Sequence, residues 1–118
     1  MSGLSTMQAG REELGYELTV VYVPNDASVL STAINSTVAD ATSAGFNVYS
    51  MDVDGEKTLA YPIRGKGGGE YPRGIFAYFI LSGNGCAYEL SSALDANNQI
   101  LRYLLVKQQL KRNLKEYK

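Results

Sequence analysis

The chain has no histidine, no tryptophan, one cysteine and three prolines among its 118 residues. Each shortage excludes something. Without histidine there is no imidazole base and no Cys–His or Ser–His couple, and no metal set can draw on an imidazole. Cys86 alone permits no internal disulfide, which fits a reducing, cytoplasmic setting. It follows Asn84-Gly85 near the expected start of a helix, where a thiol pKa can fall. Free cysteine more often packs as a small apolar residue, and a core or boundary place is expected for it. No stretch approaches the ~20 apolar residues that span a bilayer, and Met1 to Gly10 has neither a basic head nor an apolar run. No metal cluster and no pair of carboxylates with converging spacing is visible, so no cofactor and no catalysis is expected.

What is present is an ordinary globular composition, 45% hydrophobic and 19% charged, at the length of one domain. The formal charge of −1 conceals a split. Residues 1–63 hold two bases against eight acids, a net of −6, and residues 64–118 hold nine against four, a net of +5. An anionic partner for one end of the fold, or two solvated faces of opposite sign, accounts for this.

The most informative stretch is Leu59-Ala60-Tyr61-Pro62-Ile63 and the run Ile75 to Leu81 that answers it. Between them lie eleven residues rich in glycine and charge, Arg64 to Gly74. Two β-forming runs around glycine-rich punctuation predict a hairpin with a long, mobile tip. Pro62 cannot donate to a ladder, so the first strand is expected at a sheet edge and the second inside. Upstream, Tyr16 to Val23 alternates as a strand, with Leu18, Val20 and Tyr22 on one face and Glu17, Thr19, Val21 and Val23 on the other. Asp26 or Ser28 then caps a helix whose stripe is Leu30, Ile34, Val38 and Ala41, closed by Gly45. Phe46 to Ile63 reads as one long edge strand bent at Asp54-Gly55. Asn84 is positioned to cap a second helix with Leu90 and Leu94 inward, and Ile100 to Lys107 is the last strand.

The order strand, helix, strand, strand, helix, strand predicts an α+β, ferredoxin-like split βαβ sandwich (βαββαβ). It has four antiparallel strands and both helices on one face. Residues 1–14 are expected to be loose, 15–107 to form the domain, and 108–118 to be a basic tail. The uncovered face of such a sheet should be polar. Here Val21, Val23, Phe76, Tyr78, Ile80, Leu104 and Val106 face outward, with Arg102 and Lys107 at the rim. An apolar patch of that kind marks an interaction surface unless a terminus folds across it.

Gly65 to Gly69 lacks the spacing of a nucleotide loop and is expected to be a hairpin tip. Arg73-Gly74-Ile75-Phe76-Ala77-Tyr78 suggests a second reading, a free-standing RNA-recognition module stacking bases on Phe76 and Tyr78. A third is a small acylphosphatase-like enzyme using Arg64 or Arg73 with Asn47 or Asn84.

Four stretches carry a resemblance. Tyr16 to Asn25 resembles the opening strand of the bacterial small-subunit ribosomal protein six family, and Leu59-Ala60-Tyr61-Pro62-Ile63 is similar to its most recognisable motif. Gly74 with the strand after it, and Leu101 to Lys107, resemble its third and fourth strands. The resemblance implies the ferredoxin-like fold, no enzymatic activity, and a place on the ribosome in the cytoplasm. It also implies binding to the central domain of small-subunit ribosomal RNA beside a small basic partner, ribosomal protein eighteen of the same subunit. Lys57, Arg102 and Lys107 match basic positions of the family. Gly15 and Thr58 stand where the family carries bases, so Arg64, Lys66, Arg73, Lys111 and Arg112 are expected to supply counter-charges.

Overall fold

A computed structural model describes residues 14–109. The expected loose N-terminal segment (but for Leu14) and the tail bases Lys111 and Arg112 lie outside the described residues. The elements are β1 (Leu14–Tyr22), α1 (Ala27–Ser43), β2 (Asn47–Arg64), β3 (Glu70–Ser82), α2 (Ala87–Asp95) and β4 (Ile100–Gln109). All strand pairings are antiparallel, in the order β2-β3-β1-β4. This is the ferredoxin-like sandwich the element order predicts, with the proline-bearing strand at an edge and its hairpin partner inside.

The helices form for local reasons and stay for tertiary ones. Asp26 caps α1 by accepting from the Val29 amide at 3.0 Å, and its carboxyl is held below the usual aspartate range chiefly by that bond. At the other end Gly45 adopts a left-handed φ of +99°. Its amide donates to Thr42 O and that of Phe46 to Ala41 O, so two otherwise orphaned carbonyls are satisfied. Phe46 and Ala41 are both buried, which fastens the helix end to the core. Helix α2 is capped differently from expectation. Its N-cap is Cys86, not Asn84, and no side chain bonds there. Cys86 is also exposed rather than packed, because its backbone is drawn to the Ala44 carbonyl at 2.8 Å while its side chain is left outside.

The core lies between the helices and one face of the sheet. Leu18, Val20, Tyr22, Ala77, Phe79 and Leu81 from the inner strands meet Ile34 and Ala41 of α1 and Leu90 and Leu94 of α2. Leu30 and Val38, expected in the stripe, are only half-buried, and Thr37 takes the central place. A threonine is tolerated there because its hydroxyl is doubly used. It donates to Ala33 O at 3.1 Å and accepts from the Tyr22 hydroxyl at 2.6 Å.

Strand β2 runs past the body of the sheet, and the bend at Asp54-Gly55 is a bulge. The register with β3 shifts between Val53 and Gly55, where Gly55 has φ +100°. Two further irregularities lie between Val48 and Ser50 and between Thr58 and Ile63; at the latter the Leu59–Pro62 stretch is unpaired, and Pro62 costs no ladder bond. The eleven-residue tip expected from composition is shorter. Pairing resumes at Ile63↔Tyr71 and Arg64↔Glu70, leaving only residues 65–69 as the turn. Nor is that turn free: Lys66 Nζ donates to the carbonyls of Ile100 (2.7 Å) and Asn97 (3.0 Å) just beyond the end of α2. Glycine-rich composition signals permission to turn, and here the lysine within it supplies an anchor.

Candidate interaction face of the sheet

The register places the uncovered face row by row. At one end Lys57 of β2 stands beside Gly74 of β3. The next row is Gly55, Phe76, Val21 and Arg102, followed by Asp52, Tyr78, Thr19 and Leu104, and then Ser50, Ile80, Glu17 and Val106. The apolar residues expected outward are therefore outward, with two exceptions. Val23 lies past the end of β1, its amide bonded to Gln99 O. Val21 is only 7% exposed. A Cβ on Gly74 would sit 2.4 Å from Val21 Cγ1 and 3.7 Å from Leu59 Cδ2, so Leu59 leans over the bare glycine and closes that end of the face. Sequence reasoning missed this cover, because the unpaired stretch that lets Leu59 lean is a property of register.

Among the described residues nothing covers the rest of the face. Phe76, Tyr78 and Ile80 are half-buried, Val106 is 39% exposed and Leu104 is 62% exposed. Charge divides it. Lys57 and Arg102 flank the Phe76 row, with Lys57 Nζ 5.6 Å from the Phe76 ring centroid. Lys57 also meets Asp54 at 2.5 Å, and that hydrogen bond holds its ammonium above the usual lysine range. At the far end the bases are gone and the carboxylates Glu17 and Asp52 stand among Tyr78, Ile80, Leu104 and Val106. The alternation of β1 already put Glu17 on this face, but Asp52 could not be placed before the bulges of β2 were known.

The remaining basic candidates are scattered. Arg73 pairs with Glu56 at 2.6 Å and bonds Thr58 Oγ1 at 3.1 Å, while Arg64 approaches Glu70 at 3.5 Å. Lys66 is held by the two carbonyls already described. Lys107, expected at the rim with Arg102, is opposite Tyr16 and so belongs to the helix side, exposed beyond the helices.

The catalytic alternative finds no assembled site. Asn47 is opposite Ser82 at one end of the β2–β3 ribbon, with Asn84 two residues on, whereas Arg73 and Arg64 are at its other end. Nine residues of strand separate Ser82 from Arg73, about 30 Å. Among the described residues no group of three or more metal-ligating side chains occurs. A cleft of about 600 Å³ between the helices, lined by Ser28, Thr32, Ser36, Asp40, Ala93 and Asn97, holds Asp40 as its one titratable group, with its pKa raised by partial burial. No helix of the structure is long and apolar enough to cross a membrane, among the described residues.

No protein-family model matches the chain, and no curated protein matches it in sequence. Among solved structures it is similar to the 30S ribosomal protein S6 of Thermotoga maritima, with a TM-score of 0.60 over 90% of this chain and 94% of that one. The two are 16% identical. At that identity the likeness establishes the fold.

Proposed function

We propose that this chain is a non-catalytic structural protein of the bacterial small ribosomal subunit. It binds the central domain of small-subunit ribosomal RNA together with a small basic protein, ribosomal protein eighteen of that subunit, and so resides in the cytoplasm. The observation that carries the reading is the divided open face, on a fold shared with a small-subunit protein. Lys57 and Arg102 at one end suit phosphates, which bind through charge irrespective of sequence. Tyr78, Ile80, Leu104 and Val106, interleaved with Glu17 and Asp52, suit an apolar surface carrying bases. Lys107 adds a phosphate contact outside the sheet face, Lys111 and Arg112 supply further positive charge, and Arg64, Lys66 and Arg73 must first leave the partners that hold them.

Co-sedimentation of the tagged chain with salt-washed small subunits is the direct test. Retention is expected, together with its loss in the Ile80→Asp variant, which places a charge where the partner docks. Absence from washed subunits sinks the reading. The base-stacking alternative keeps one observation in its favour: Phe76 and Tyr78 share the open face two residues apart. Short single-stranded RNA should then bind to the isolated chain, and Tyr78→Ala should cost about 1–3 kcal/mol.

A further inference from the structure

We propose that the free edge of β4 is a self-association surface, at which two copies of this chain pair antiparallel about a two-fold axis through Leu104. Among the described residues strand β4 is hydrogen-bonded on one side only. Its ladder with β1 runs unbroken through eight pairs, from Leu14↔Gln109 to Val21↔Arg102. Ile100 to Gln109 contains no proline, no glycine and no acid. These are the devices that blunt an edge, and β2 has them: a bulge at Gly55, Pro62, and the acids Asp52, Asp54 and Glu56. One sheet edge is heavily defended, whereas the other has only Arg102, Lys107 and a register shift at its Ile100 end.

The occupant follows from register and charge. A two-fold axis normal to the sheet keeps both helix layers on one side, so opposed residues share a face and their numbers have an even sum. Centring the axis on Leu104 puts Arg102 opposite Val106 of the other copy, and beside Val106 on β1 stands Glu17. The two strand spacings between Arg102 and that Glu17, about 10 Å, are within reach of two long side chains. Neither residue has an ion-pair partner among the described residues. The symmetry makes the pair twice, once on each side of a Leu104–Leu104 contact. Centring on Tyr103 would set Arg102 against Leu104 and Thr19, and centring on Leu105 against Gln108 and Gly15. Only the Leu104 axis matches charge. On the helix side the same register sets Tyr103 against Leu105 of the other copy. There Tyr88 (79% exposed), Ser91, Tyr103 and Leu105 line a shallow cleft of about 530 Å³ that a second copy would cover.

The inference goes beyond the ribosomal reading. The dimer occupies Arg102, Leu104 and Val106, so self-association and assembly exclude each other, and the unassembled chain shields its own apolar edge. The test needs no ribosomal component and so fails or succeeds separately. In the full chain carrying Cys86→Ser, oxidised Leu104→Cys should form a cross-linked dimer, while Met51→Cys on β2 should not. Sedimentation equilibrium of the unsubstituted chain should give a concentration-dependent dimer, lost in Arg102→Glu and restored in Arg102→Glu with Glu17→Arg. All these side chains are exposed, and circular dichroism checks that each variant is folded. A chain monomeric up to about millimolar concentration overturns the proposal, whether another strand or an RNA uses the edge. So does a dimer in which Leu104→Cys fails to cross-link or Arg102→Glu changes nothing.

Discussion

Phe79 and Ile80 are neighbours on β3, of comparable apolar character, and they face different worlds. Phe79 points into the helix layer and is buried, whereas Ile80 points to the open face and is half-buried beside Glu17. Among the described residues no buried side-chain polar atom of the covered face lacks a partner, the Tyr22–Thr37 pair included. Among the described residues the open face has apolar groups without a cover, except at the end where Leu59 and Gly74 close over Val21. One side of the sheet holds the chain together, and the other has surface left over for association.

The sharpest way to break that comparison is to truncate both neighbours. Phe79→Ala should destabilise by about 3–5 kcal/mol, through lost transfer energy and the cavity left behind. Ile80→Ala should cost about 1 kcal/mol or less, since its surroundings are already wet. Chemical denaturation of the two variants measures both, and equal losses would mean that the open face is packed as tightly as the core.

The next effect tests the covered face by pH. Burial pushes the Tyr22 hydroxyl up to about 12, against 10 for an exposed tyrosine. Above pH 10 the unfolded chain loses this proton while the folded chain keeps it. Stability from this group is therefore complete below pH 10 and falls between pH 10 and 12, by about 2–3 kcal/mol in all. Tyr22→Phe should remove that share of the alkaline decline in a denaturation series.

Gly74→Ala probes the closed end of the open face. The added methyl meets Val21 at 2.4 Å, and overpacking of this kind costs about 1–3 kcal/mol. Combining it with Val21→Ala should recover part of the loss, and strict additivity would show that the two residues do not touch. The smallest effect concerns the cover itself. Asp26→Ala removes the α1 cap and should lower the denaturation midpoint by less than any change above, without altering partner binding on the far side of the sheet.

Much of this was legible in the residue order. The alternation of Tyr16 to Tyr22 and of Ile75 to Leu81 assigns each side chain to a face, because strand periodicity is a local property of the backbone. Capping at Asp26 and Gly45 was equally plain, since a short acceptor and a residue free of Cβ have local uses. The sheet-facing Thr37 was not legible, because only the approach of Tyr22, fifteen residues away, makes a hydroxyl acceptable in the core. The basic residues near the hairpin were misleading for a related reason. Lys66 and Arg73 look like free cations in a list of residues, yet Ile100 O and Glu56 hold them.

By itself the sequence determined the six elements, their order and the surplus of apolar side chains on one side of the sheet, all set by short-range periodicity and punctuation. Only the tertiary structure decided how that surplus is arranged. Register shifts at Val48/Ser50 and Val53/Gly55 set Asp52 level with Tyr78, and the one beyond Thr58 lets Leu59 fall over Val21. Register depends on contacts between residues distant along the chain, so no local pattern could have stated it.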